Sequence, residues 1–129
     1  MPQKVFISCS SANVEEALHL SNFVQEKGLS VFLDIEDPSV LNREDSQMDE
    51  LKSELKGSSG FIVLLSNQNI DSFFLLQKLG AAITIVKSIL IVSYTPVWSS
   101  KFPYYKYNVM DMTGLKQTEM NEKISRMFA

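Results

Sequence analysis

Hydrophobic and polar positions along the chain follow two periods, one typical of strands and one typical of helices. Short β-rich runs lie at 4–8, 30–34, 61–65, 88–92 and, more weakly, 108–110. Apolar residues at spacings of three and four predict helices at about 14–27, 45–56, 72–86 and 115–128. Gly28 follows the first of these patterns, as glycine often does just beyond a helix end. The chain is therefore predicted to alternate strand and helix throughout.

This alternation predicts an α/β fold made of right-handed strand–helix–strand units, with a parallel sheet covered by helices on both faces. The wholly apolar run Phe61 to Leu65 suits a strand buried on both faces. About five parallel strands favour a flavodoxin-like three-layer sandwich with strand order 2-1-3-4-5. A ligand would then lie beyond the carboxyl ends of the first and third strands, with Ser8 to Ser11, Asp34 and Ser66 to Ser72 around one crevice.

Composition narrows the function classes. The length of 129 residues fits a single domain, 1–129. A net charge of −3 argues against a nucleic-acid partner, which needs clustered Lys and Arg. The single cysteine, Cys9, forms no internal disulfide, and we expect it to be a small buried residue in a cytoplasmic protein. No apolar run reaches the ~18–20 residues of a membrane span, and no His/Cys spacing predicts a metal site.

Five ordered segments resemble one known family. They are Val5–Ser10, Gly28–Asp34, Ser58–Ser66, Ser72–Ala82 and Lys87–Val92. In this order they resemble five segments of TIR (Toll/interleukin-1 receptor) domains. The first three resemble the opening FISYS-like strand, the G-x-x-V-F/W-x-D strand and the third strand of that family. The last two resemble the S-x-W-x-x-x-E-L-G-A-A helix of its bacterial members and the strand that follows this helix. The resemblance covers about residues 3 to 94.

The resemblance implies two functions. Many TIR domains are interaction modules of innate-immune signalling that self-associate or bind other TIR domains. Others cleave NAD between nicotinamide and ribose, using a glutamate four residues after the motif's tryptophan. Phe74 matches that tryptophan here, which places Lys78 at the glutamate position. An ammonium repels the positive charge that develops on the ribose, so the usual chemistry is expected to be absent or slow.

Lys78 has two interpretations. It is either a solvated helix residue with no role or the mark of a lost or altered active site. A one-residue alignment slip would substitute Gln77, which also lacks a carboxylate, and no acid lies between Asp71 and Asp111. Three functions stay open: a non-catalytic interaction module, an NAD hydrolase or cyclase with a displaced or engineered-out acid, and a nucleotide sensor that binds without turnover, in which Lys78 would meet a phosphate. No cofactor is expected; NAD would be substrate or ligand.

Other ligand-binding candidates lie around the predicted crevice. Ser8, Ser10 and Ser11 either donate hydrogen bonds to phosphate or ribose at a helix N-terminus or cap that helix, a role that Asn13 could also fill. Asp34 either orients a ribose or closes its strand. Ser72 and Phe74, on the helix of Lys78, complete the set. His19 is expected to be a surface residue.

The segment from Ile35 to Asp45 is predicted to be a loop, and it corresponds to the loop that TIR domains use for docking. It is acidic, with Glu36 among its acids, and it lacks the glycine common in the family. Val40 and Leu41 are apolar without a helix or strand to serve, which favours them as anchors for a partner. The interface candidates are Asp37, Pro38, Val40, Leu41 and Arg43.

Overall fold

The computed structural model describes residues 3–36, 45–86, 88–97, 100, 102–112 and 117–127, with only the backbone described at 45–48, 74, 105, 117 and 127. The strands are β1 (Lys4–Ser10), β2 (Ser30–Glu36), β3 (Gly60–Leu65), β4 (Ser88–Ser93) and β5 (Val109–Asp111). The helices are α1 (Val14–Glu26), α2 (Asp45–Lys56), α3 (Phe73–Ile85) and α4 (Gln117–Met127). The predicted alternation of strand and helix is confirmed.

The five strands form one parallel sheet in the order β2-β1-β3-β4-β5, which confirms the predicted flavodoxin-like topology. The strand order reverses direction between β1 and β3, so the switch point lies at their carboxyl ends. There Ser8 is the register partner of Asp34 on one side and of Val63 on the other.

Each face of the sheet has its own apolar cluster. On the α1/α4 face, alternate strand residues such as Ile7 and Leu64 pack with Leu20 of α1 and Ile124 of α4. On the α2/α3 face, the intervening strand residues pack with α2 and α3; this cluster includes Phe6, Phe61, Leu55, Leu75 and Leu79. Strand side chains point to alternate faces, so the parity of a residue decides which helices it meets.

Two strands continue two residues beyond the ends of their predicted β-rich runs. β1 continues through Cys9 to Ser10, and β2 continues through Ile35 to Glu36. The prediction that a loop begins at Ile35 is therefore wrong, because the last two residues of β2 pair with Cys9 and Ser10 in the sheet. Gly28 has φ +86° just beyond α1, which confirms its predicted role in ending that helix.

Candidate functional site

Polar side chains replace apolar ones at the carboxyl ends of β1 and β2. Ser8 and Ser10 of β1 lie opposite Asp34 and Glu36 of β2 in the sheet register. The two residues of each pair are two positions apart on their strand, so all four belong to the α2/α3 face. All four are less than a tenth exposed. This part of the face is therefore polar and buried.

Lys78 lies on the buried stripe of α3. Leu75, Leu79 and Ala82 share that stripe at spacings of three and four, and all three are fully buried. Lys78 itself is 1% exposed. The interpretation of Lys78 as a solvated helix residue is therefore wrong: its position in the helix directs the side chain into the protein.

The Lys78 ammonium is held by three oxygen atoms. Its Nζ donates to Ser8 Oγ at 3.0 Å and to Glu36 Oε1 at 3.0 Å, and it forms an ion pair with Asp34 Oδ2. An ammonium has three N–H donors, so these three partners saturate it. The residues Ser8, Asp34, Glu36 and Lys78 are called the Lys78 cluster below.

The Lys78 cluster carries two carboxylates against one ammonium. A buried charge is tolerated when it is paired and hydrogen-bonded, and Lys78 meets both conditions. The formal balance of the cluster is one negative charge, which opposes the entry of an anion. Since no N–H of Lys78 remains unused, a phosphate could bind the ammonium only by displacing one of its three oxygen partners.

Ser10 belongs to a separate hydrogen-bond network at the same edge. Its Oγ lies 3.1 Å from Ser66 Oγ, at the end of β3. The Ser66 backbone N–H donates to Asn69 Oδ1 at 2.8 Å, and Asn69 Nδ2 donates to the Leu64 carbonyl at 2.9 Å. The structure therefore brings Ser8, Ser10, Asp34 and Ser66 to one edge, as the topology predicts.

The remaining ligand candidates have other roles or lie elsewhere. Ser72 caps α3, accepting a hydrogen bond from the Leu75 N–H at 3.4 Å. Phe74 lies in the first turn of α3, and its side chain is outside the described part of the structure. Ser11 is exposed in a short 3-10 turn. Asn13 precedes α1, but within the described part of the chain its side chain makes no cap bond and its buried Oδ1 has no hydrogen-bond partner.

Cys9 lies between Ser8 and Ser10 but on the other face of the sheet. It is fully buried, as predicted, in the apolar cluster of the α1/α4 face. Burial, and next the negative charge of Asp34, raise the pKa of its thiol to about 11. The thiol therefore stays protonated and unreactive at neutral pH. His19 is exposed, also as predicted.

Glu36 is the residue that sequence reasoning misplaced. The sequence pattern predicts it in the docking loop, whereas the structure buries it in the Lys78 cluster. The available signal is parity, because Phe32, Asp34 and Glu36 are two residues apart and share a face. The interface candidates Asp37, Pro38, Val40, Leu41 and Arg43 lie outside the described residues.

The sequence model of the TIR domain family matches residues 5–126, which is nearly the whole chain. The chain belongs to the TIR domain family. No curated protein sequence matches this TIR domain significantly. Among the residues described, no helix is long and apolar enough to cross a membrane.

Solved structures agree with this TIR domain in fold. One is a chain of the RPS4 and RRS1 TIR domain heterodimer: TM-score 0.68, 16% identity, 98% of this chain and 100% of that chain covered. The TIR domains of the activated Roq1 resistosome, which recognises the effector XopQ, match with a TM-score of 0.55 and 17% identity. That match covers 98% of this chain and 82% of the other chain. A diflavin flavoprotein from Nostoc sp. matches with a TM-score of 0.56 and 14% identity, covering 96% of this chain and 86% of the other chain. At these identities the likeness extends to fold alone.

Proposed function

We propose that this TIR domain is a non-catalytic interaction and signalling module that acts by self-association or by binding another TIR domain. The observation that supports it most is the saturated ammonium of Lys78 at the position where the family resemblance implies a catalytic glutamate. The residue is built into the interior of the protein, so its charge is a fixed part of the crevice.

The chemistry of NAD cleavage explains why this arrangement is unfavourable. Departure of nicotinamide leaves an oxocarbenium-like ribose, which a carboxylate stabilises and an ammonium repels. Lys78 cannot accept a hydrogen bond from a ribose hydroxyl while it is protonated. The two carboxylates that reach the same place, Asp34 and Glu36, are both bound to that ammonium.

The function that we propose for this TIR domain is association with another TIR domain or with itself. The fold relatives from RPS4 and RRS1 are described as a TIR heterodimer, and those from Roq1 as part of a resistosome. For this chain, the proposed contact includes the segment 37–44, where Val40 and Leu41 supply apolar anchors. That segment follows directly on the buried end of β2.

Analytical ultracentrifugation over a wide concentration range tests the proposal. We expect concentration-dependent self-association, or binding to a second TIR domain, that the V40A/L41A variant weakens by at least about tenfold. Ile85→Ala is the matched control, because Ile85 is an exposed apolar residue at the last position of α3, by the amino ends of the strands. A strict monomer that binds no TIR partner would refute the proposal.

A second candidate is an NAD hydrolase with a displaced acid, and one observation favours it: Asp34 and Glu36 reach the switch point from β2. The test is incubation with NAD and chromatography for nicotinamide and ADP-ribose. Release by the wild type that D34N or E36Q abolishes would establish this candidate and overturn the non-catalytic proposal. No release over a long incubation would eliminate it.

The nucleotide sensor is not favoured by the charges around Lys78. A phosphate would meet an ammonium without a free N–H and a cluster with a surplus carboxylate. We therefore expect NAD and ADP-ribose to leave the melting temperature of the domain unchanged. A concentration-dependent rise in that temperature would reinstate the sensor.

A further inference from the structure

Lys78 joins helix α3 to strand β2, two elements that do not follow one another in the chain. α3 connects β3 to β4, whereas β2 is an edge strand that pairs with β1 alone in the described sheet. The side chain of Lys78 contacts Ser8 of β1 and continues to Asp34 and Glu36 of β2. One ammonium therefore connects α3, the helix between two interior strands, with the carboxyl end of the edge strand β2.

The last three residues of β2 are poorly suited to a strand without that ammonium. Asp and Glu are depleted in strands, and here both point into the protein. Two carboxylates buried on one face would be strongly unfavourable if they lost the ammonium that both of them contact. Ile35 between them is 41% exposed and contributes little burial.

We propose that Lys78 is a positioning residue: its ammonium keeps residues 34–36 in the sheet and so sets the point at which the chain leaves β2. Without it, β2 would end near Asp34, where the sequence pattern alone ends the strand. The inference rests on the proposed function in one respect, because the segment that leaves β2 at this point, 37–44, is the one proposed to dock.

Hydrogen exchange followed by mass spectrometry or NMR tests the positioning role. K78M removes the charge and keeps most of the volume. We expect amides in 34–36 and in 8–10 of β1 to exchange at least about tenfold faster relative to those of β4. The triple variant K78M/D34N/E36Q buries no charge in the cluster and should restore much of that protection.

Two further variants keep the test decisive. Lys4→Met is the matched control, since Lys4 forms its ion pair with Glu54 at the opposite end of β1 and should leave 34–36 unchanged. Glu36→Ala serves if K78M does not fold: it leaves Lys78 with Asp34 as a neutral pair and should accelerate exchange at 35–36 alone. Uniform acceleration in every strand, or none at 34–36, would overturn the positioning role.

Ultracentrifugation of K78M and Glu36→Ala separates this inference from the proposed function. If the wild type associates, whichever of these variants is folded should associate at least about tenfold more weakly. Unchanged association despite faster exchange at 34–36 would overturn the link to docking. If the wild type does not associate at all, the proposed function fails, while the exchange experiment still decides whether Lys78 positions β2.

Discussion

The two faces of the sheet solve the same packing problem with different chemistry. At the carboxyl end of β1, Cys9 points to the α1/α4 face and is buried among apolar side chains. Its neighbour Ser8 points to the α2/α3 face and is equally buried, but it meets the Lys78 ammonium. Neighbouring residues of one strand therefore enter an apolar and an ionic environment.

The difference lies in how each face responds to change. Apolar burial stabilises in proportion to area, about 25 cal/mol per Å², and has no directional requirement. A buried ion cluster stabilises only while it is complete, and removal of one partner costs about 3–5 kcal/mol. We expect graded losses on the α1/α4 face and a collapse of the Lys78 cluster when its ammonium is removed.

Lys78→Glu should have the largest effect. It places a third carboxylate beside Asp34 and Glu36, so the loss should exceed the ~3–5 kcal/mol of a broken buried pair. Against a typical total stability of about 5–15 kcal/mol, we expect a domain that is largely unfolded at 25 °C. Circular dichroism melts check this, with Lys52→Glu, at an exposed position of α2, as the control. A wild-type melt of Lys78→Glu would contradict the ionic description of this face.

This expectation changes how a restored glutamate must be tested. Lys78→Glu alone would fail to cleave NAD simply because it does not fold. The variant K78E/D34N/E36Q keeps one carboxylate in the cluster and removes the repulsion. NAD assays on that variant distinguish a missing carboxylate from a scaffold that lacks other parts of an active site.

The fold is predictable from the sequence because its signals are local. The periods of apolar residues identify the helices and strands, and parallel strands joined by helices admit few topologies. The position of Lys78 follows from spacing in the same way. The burial of Lys78 does not follow from spacing, because a lysine is expected to be solvated unless its buried partners are known.

The partners of Lys78 required the tertiary structure. Asp34 and Glu36 are 44 and 42 residues away in the chain. Ending β2 at Asp34 follows the low strand preference of charged residues, and a distant ammonium overrides that preference. The docking candidates of segment 37–44 stay predictions.

Leu20→Ala should have an intermediate effect, on the α1/α4 face. Leu20 is fully buried, so truncation should cost about 2–5 kcal/mol, measured by urea unfolding. Leu18→Ala, at a half-exposed position of the same helix, is the control and should cost much less. Because the sheet separates Leu20 from Lys78, the losses of L20A and K78M should add within about 0.5 kcal/mol. A larger coupling would show that the two faces are not independent.

The smallest effect concerns Cys9, where one face acts on the other. Burial raises the pKa of this thiol from its ordinary value of 9.0 to about 11, and the charge of Asp34, which belongs to the opposite face, contributes to that rise. Between pH 9 and 11 the unfolded chain loses this proton and the folded domain keeps it. The stability from the raised pKa is therefore complete below pH 9 and is lost as pH rises to 11, by up to about 2–3 kcal/mol.

Urea unfolding at pH 8 and at pH 11 measures this loss: the midpoint should fall more between the two pH values for the wild type than for Cys9→Ala. Burial also raises the pKa of Tyr94, to about 12, but this affects both proteins and cancels. Equal falls would show that the thiol ionises in the folded domain, and that the α1/α4 face is open to water at this point.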